Sequence, residues 1–201
     1  MYKKVLNTTS YSYSVNTLWN KKNLCPAVKF EKAGICSGLV VAWIKKSLAS
    51  KGKGVLSADE LDTMSASIIQ ATYNWKHLFP SKSMGYGAGI PFLLQSQNLI
   101  SVDDAVGEMA CAIPWIYEWI SINTGHFILV FFNKAGDDSV WNGHTAGFRY
   151  EDKAFEIFEP NTGLFNYSDI PTFTTFVTRY LEEMYEYYDG KWYLHKVELY
   201  S

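Results

Sequence analysis

The chain has 201 residues, of which 48% are apolar and 19% are charged, so it has enough apolar residues for a core and its composition excludes disorder throughout. Its formal charge is −2, and its 18 Lys and Arg residues are scattered without forming a basic stripe, which argues against a nucleic-acid-binding surface. No apolar run approaches the roughly 18 residues that a membrane-spanning helix needs, so no integral membrane segment is expected.

The beginning of the chain differs in composition from the rest. Residues 1–24 are rich in Ser, Thr, Asn and Tyr, which predicts a mobile arm ahead of a single domain over residues 25–201. Early positive charge without an apolar stretch predicts that there is no cleavable signal peptide. The three cysteines, Cys25, Cys36 and Cys111, are an odd number without paired spacing. They indicate reduced thiols rather than a disulfide or zinc framework, and no metal or cofactor is predicted.

The first half of the chain has helical spacing. Apolar residues that recur on one face predict a helix over residues 36–48. Ser57 and Glu60 form a capping-box pattern, which predicts a second helix that continues to Pro80. Shorter helices are expected over residues 90–97 and 102–112.

The second half changes to strand patterns. The run "GHFILVFFNK" predicts a buried strand, and "HTAGFRY" and "AFEIFE" predict two strands joined as a hairpin through residues 151–153. "TFTTFVTRYLEEMYEYY" then has helical spacing, and "KWYLHKVELY" alternates as a final strand. Helices followed by an antiparallel sheet predict the α+β fold class.

Three residues of this pattern suggest a catalytic site. Cys36 opens the first helix, where free backbone N–H groups favour a thiolate. His144 opens one strand of the predicted hairpin and Glu159 ends the other, so a turn at residues 151–153 predicts that they face each other, with Cβ atoms about 5 Å apart. A carboxylate in that position accepts the imidazole N–H and stabilises the imidazolium. Packing the sheet against the helix then brings the thiol to the imidazole.

Three motifs around these residues resemble a known family. "GICSGLVVAW", "GHTAGF" and "FEPNTGLF" are similar to the signatures of the YopT-type cysteine peptidases, a papain-like family of bacterial virulence effectors. The resemblance spans roughly residues 30–165 and implies Cys36 as nucleophile, His144 as general base and Glu159 as orienting acid. It also implies a papain-like fold, with the nucleophile at a helix N-terminus packed on an antiparallel sheet. The family motif has Asp where this chain has Glu159.

The resemblance implies a thiol hydrolase that acts as a bacterial effector. The expected protein is a monomeric cysteine protease, secreted without a cleavable signal peptide, that cleaves a host protein in the target-cell cytosol. One alternative is a glutamine deamidase on the same triad, and another is a papain-like binding module that has lost turnover through the Glu substitution. A third is a toxin injected into competing bacteria. A secretion chaperone or an immunity protein is the accessory partner that these settings imply.

Other residues are candidates for the general base and the oxyanion donors. His126 also follows a glycine at a strand start and is the rival for the general base, whereas Cys25 and Cys111 are expected to pack in the core. The Cys36 amide is one expected oxyanion donor. The sequence leaves Lys32, Asn20 and Asn23 open as the source of a second one.

Overall fold

The computed structural model describes residues 2–6, 35–56, 60–62, 64–70, 89–109, 112–132, 143–188 and 190–201. The strands are β1 (Tyr2–Leu6), β2 (Leu99–Glu108), β3 (Gly125–Phe132), β4 (Gly143–Glu151), β5 (Ala154–Glu159), β6 (Gly163–Tyr167) and β7 (Lys191–Leu199). The labelled helices are α1 (Cys36–Ala49), α2 (Gly89–Gln95), α3 (Ala112–Ile122) and α4 (Ile170–Tyr187). Residues 64–70 are also helical.

The strands form one sheet of seven, in the order β1-β6-β5-β4-β3-β7-β2. Every neighbouring pair is antiparallel. Helices α1 and α2 and the helical residues 64–70 contribute to the core on one face of the sheet, whereas α3 and α4 cover the other face. The predicted α+β class with an antiparallel sheet is therefore confirmed.

Strand β3 runs through the middle of this sheet and explains its continuous apolar sequence. Its residues 126–131 are all buried, because helices pack on both of its faces. Ile128 and Val130 face the α1 side, and Phe127, Leu129 and Phe131 face the α4 side. Both faces of β3 therefore need apolar side chains, which gives an unbroken run instead of alternation.

Helix α1 lies very close to β4. A Cβ atom placed on Gly147 would lie 2.6 Å from the Trp43 ring, so only glycine leaves room for this aromatic side chain. Gly38, in the first turn of α1, lies even closer to the helical residues 64–70, because a Cβ there would overlap the Ala66 carbonyl oxygen. These two glycines place the start of α1 between the sheet and the next helix.

We expect Gly147→Ala to lower the free energy of unfolding by about 1–3 kcal/mol, because the added methyl group overpacks the Trp43 ring. Urea unfolding measures this loss. Combining the change with Trp43→Phe should recover part of it, since the smaller ring frees space. A Gly147→Ala protein as stable as the wild type would contradict the close contact.

Most of the predicted elements are present. Helix α1 begins at Cys36, α2 covers most of the predicted 90–97 helix, and the β4–β5 hairpin turns through residues 151–154. Helix α4 begins after Asp169, whose side chain accepts a hydrogen bond from the Thr172 amide at 2.8 Å. The final strand is β7.

Two helix predictions in the first half were wrong in position or type. Residues 99–108 form β2, which pairs along its length with β7, so the predicted helix over residues 102–112 is instead a strand followed by α3. The pairing with β7 overrides the weak helical spacing. At the start of the helical residues 64–70, Asp62 accepts from the Ser65 amide at 2.9 Å, and residues 61–62 before them are not helical. Ser57 and residues 71–80 of this predicted helix lie outside the described residues.

The predicted mobile arm contains a strand. Tyr2–Leu6 form β1, which pairs with β6 at one edge of the sheet. The β6 edge provides backbone partners for these residues, and the mobility of the arm stays a prediction. The rest of the arm, residues 7–24, lies outside the described residues.

Candidate active site

Cys36 is the first residue of α1. The Ile35 position before it makes no side-chain cap. Instead, the Gly38 amide donates to Gln70 Oε1 at 3.0 Å, and the Leu39 amide donates to the Ile35 carbonyl at 2.9 Å. The Cys36 and Ser37 amides are the two remaining donors of this first turn, at the positive end of the helix dipole.

The thiol of Cys36 meets two side chains from the start of β4. It is hydrogen-bonded to the imidazole of His144 and to Thr145. Thr145 Oγ1 also lies 2.7 Å from Ser37 Oγ, which ties the first turn of α1 to the strand. Cys36 remains partly exposed, whereas His144 and Thr145 are buried. The thiol is therefore held at the end of the sheet, between α1 and β4.

The imidazole of His144 is bound on its other side by a carboxylate. Its Nε2 lies 3.0 Å from Oε1 and 2.8 Å from Oε2 of Glu159, so the ring donates Nε2–H to the carboxylate. Nδ1 is then the nitrogen available to the thiol. Glu159 also accepts from the Asn161 amide at 3.0 Å and from the Tyr180 hydroxyl at 2.6 Å.

The charges of this cluster support one another. Burial acts to raise the pKa of Cys36, but the hydrogen bond and charge of His144 and the bond with Thr145 outweigh it, so this pKa lies below the ordinary thiol value. Burial acts to lower the pKa of His144, but the bonds and negative charges of Cys36 and Glu159 raise it to about 10. Burial likewise acts to raise the pKa of Glu159, and its bonds with His144, Tyr180 and Asn161 hold that pKa below its usual value. A thiolate, an imidazolium and a carboxylate are the favoured states.

An aromatic ring covers the imidazole. Tyr188, just after α4, stacks on His144 with ring centroids 6.2 Å apart and an interplanar angle of 15°. Tyr188 in turn stacks on Phe131 at 6.0 Å. His144, Tyr188 and Phe131 thus form a row of three neighbouring rings beside the site.

The hairpin register differs from the predicted one by two residues. Gly147 pairs with Phe158 and Glu151 with Ala154, which puts Glu159 beside Ala146 and diagonal to His144. Because side chains alternate with a period of two, the shift leaves both residues on the same face. A long side chain can reach a diagonal neighbour, and Glu159 does so.

The rival base lies elsewhere in the fold. His126 pairs with Arg149 near the far end of β3, about 17 Å along the strand from the Phe131 position that pairs with His144. Its Nε2 lies 2.8 Å from Ser47 Oγ, near the end of α1. Burial holds the pKa of His126 down at about 4. His126 is therefore a neutral core residue of the structure.

The three residues singled out from the sequence thus lie together, and four neighbours were missed. Cys36, His144 and Glu159 form one hydrogen-bonded chain. Sequence reasoning did not identify Gln70, Thr145, Tyr180 and Tyr188. Thr145 adjoins a predicted residue, but the two tyrosines belong to a helical aromatic pattern that is typical of a core. Cys25, Cys111, Lys32, Asn20 and Asn23 lie outside the described residues.

Two kinds of feature are absent from the described residues. In that part of the chain, no group of three or more His, Cys, Asp or Glu side chains is arranged to hold a metal ion. No helix within the described ranges is long and apolar enough to cross a membrane.

A helix-borne thiol that meets a histidine and a carboxylate on an antiparallel sheet is the arrangement of the papain-like fold class. The crystal structure of the Pseudomonas avirulence protein AvrPphB is similar to this chain, with a TM-score of 0.60 and 17% sequence identity. The similarity covers 82% of this chain and 92% of that one. AvrPphB is a papain-like cysteine protease effector of the YopT type, so the predicted papain-like fold is confirmed. No protein-family model and no curated protein matches the chain.

Proposed function

We propose that this chain is a papain-like thiol hydrolase in which Cys36 is the nucleophile, His144 the general acid and base, and Glu159 the orienting acid. The observation that carries the proposal is the continuous hydrogen-bonded chain from the Cys36 thiol through His144 to the buried Glu159. A structural cysteine has no need of an imidazole that is itself held by a carboxylate.

The proposed reaction follows the charges of the site. The Cys36 thiolate attacks an amide carbonyl carbon, and the developing oxyanion accepts from the Cys36 amide at the helix start. The His144 imidazolium gives its proton to the leaving amine, which breaks the C–N bond and leaves a thioester. The neutral imidazole then takes a proton from water, whose oxygen attacks the thioester carbon. The C–S bond breaks, which releases the carboxylic acid and restores the Cys36 thiolate and the His144 imidazolium. Glu159 keeps the ring oriented throughout.

The setting we propose is that of a secreted bacterial effector. AvrPphB is named an avirulence protein, and its fold is shared by most of this chain. We therefore propose a host protein as substrate and a cysteine protease as the reaction type. The thioester chemistry is common to proteolysis and glutamine deamidation, so the product distinguishes the two.

Selective alkylation tests the activated thiol. We expect iodoacetamide to modify Cys36 rapidly at pH values well below 9.0, because a lowered pKa keeps the thiolate present there. Peptide mapping compares the labelling rate of Cys36 with those of Cys25 and Cys111 over a range of pH.

His144→Ala provides the matched control, since it removes the imidazolium and leaves all three thiols. In that variant the labelling of Cys36 should require a higher pH. Preferential labelling of Cys25 or Cys111 in the wild type, or unchanged labelling of Cys36 in His144→Ala, would contradict the proposed nucleophile.

A further inference from the structure

The orienting carboxylate has to reach diagonally across the hairpin. Glu159 lies beside Ala146, whereas His144 is two residues further along β4. Glutamate has one more rotatable bond than aspartate, so it can span this diagonal but can adopt more side-chain conformations. A carboxylate that must present both oxygens to one imidazole nitrogen therefore needs additional partners to fix it.

Two donors from outside the hairpin strands meet the carboxylate, one on each oxygen. The Asn161 amide, in the turn after β5, donates to Oε1 at 3.0 Å. The Tyr180 hydroxyl, from α4, donates to Oε2 at 2.6 Å. His144 Nε2 lies within hydrogen-bond distance of both of these oxygens. The Asn161 donor is backbone, so of these two donors Tyr180 is the one that a side-chain substitution can remove.

Tyr180 is itself firmly held. Its ring is only 6% exposed and packs against Phe131, Phe148 and Phe176, with ring centroids 6.3, 6.4 and 6.5 Å away. Burying a hydroxyl among aromatic rings is costly unless it is hydrogen-bonded. Phenylalanine would fill the same space without this cost, so the hydroxyl is explained by its bond to Glu159 and not by packing.

We propose that Tyr180 is a positioning residue of this site, whose hydroxyl holds the Glu159 carboxylate in the orientation that binds and orients His144. The expected effect on turnover rests on the proposed function. The positioning of His144 does not, because it is a property of the fold. Helix α4 thereby contributes to a site otherwise built from α1, β4 and β5.

Tyr180→Phe tests the proposal because it removes one oxygen and keeps the ring. The ionisable groups close to His144 are the Cys36 thiol on α1, Glu159 on β5 and the phenols of Tyr180 and Tyr188. Loosening Glu159 should weaken its bonds to the imidazolium, so the pKa of His144 should fall from about 10. NMR titration of the His144 ring measures this shift in the purified protein, without any substrate.

Turnover gives the second measurement. We expect kcat to fall by about tenfold with KM unchanged, since Tyr180 is buried and acts on the site through Glu159. Tyr150→Phe is the matched control, because Tyr150 is another buried tyrosine of the α4 face and packs on Phe173. It should leave both the His144 titration and kcat unchanged.

The outcomes separate this inference from the proposed function. A lowered His144 pKa in Tyr180→Phe alone supports the positioning role, even if the wild type hydrolyses nothing and the proposed function fails. An unchanged or higher His144 pKa in Tyr180→Phe, or an equal fall in Tyr150→Phe, overturns the positioning role whatever the activity.

Discussion

Turnover is expected to fall by about 10⁶-fold when Cys36 is replaced by alanine, because no other group at the start of α1 can form the covalent intermediate. The neighbouring Ser37 and Thr145 hydroxyls hydrogen-bond each other and are buried, so neither can replace the thiolate. The rate of substrate conversion over a series of enzyme concentrations measures the loss.

Two controls accompany this change. Cys25→Ala and Cys111→Ala should retain wild-type turnover, since the proposed mechanism does not use their thiols. A thermal unfolding scan of Cys36→Ala should show a stability within about 1–2 kcal/mol of the wild type, because Cys36 is partly exposed. Retained turnover in Cys36→Ala, or a collapsed fold, would contradict the role of nucleophile and indicate a structural role for this cysteine.

Glu159→Gln is expected to lower kcat by up to about 10⁴-fold with little change in stability. The amide keeps the size of the side chain but carries no charge to stabilise the His144 imidazolium, and one of its two end groups is a donor that faces Nε2–H. The pKa of His144, which Glu159 helps to raise to about 10, should fall as well. Comparison of kcat and KM with the wild type checks the effect.

Glu156→Gln is a matched control on the same strand. Glu156 is also buried but faces Arg149, at 3.5 Å, on the other side of the sheet. It should affect stability and leave kcat unchanged. Full activity of Glu159→Gln on a confirmed substrate would show that Glu159 is only a turn residue.

Glu159 stands where the YopT-type motif has aspartate, and the hairpin register offers a geometric reason for the longer side chain. Because Glu159 and His144 are diagonal neighbours, the shorter side chain of Glu159→Asp should not reach Nε2 without a shift of the strand. We expect this variant to be slower than the wild type, although it introduces the residue of the YopT-type motif. Retained or higher activity would contradict the adaptation of the hairpin to glutamate.

The parts of the fold that follow from local pattern were predictable. The helix at Cys36, the buried β3 run and the β4–β5 hairpin each have a period or a turn that is present in the sequence itself. Strands β1, β2 and β6 were not predicted. The pairing partners of β1 and β2 are distant in sequence, and β6 begins directly after a turn. In β2, Val102 and Val106 are exposed, so the strand lacks the clear alternation of a half-buried one.

The sequence indicated the three residues that the structure brings together, but not the residues that contact them. Three motifs located Cys36, His144 and Glu159, but the register of the hairpin depends on a turn that the sequence placed one position too early. Tyr180 contacts Glu159 from 21 residues away. Nothing in the sequence of an amphipathic helix distinguishes a tyrosine that binds a carboxylate from one that fills the core.

The central claim, that this chain hydrolyses an amide bond of a protein through Cys36, is tested most directly by mass spectrometry of host-cell lysate. Lysate incubated with the wild type is compared with lysate incubated with Cys36→Ala, for new protein termini and for Gln residues converted to Glu. If the protein is a protease, new termini are expected only with the wild type. Conversion of Gln to Glu without new termini would make the protein a deamidase, and identical lysates from an enzyme with a reactive Cys36 would contradict the proposed hydrolysis.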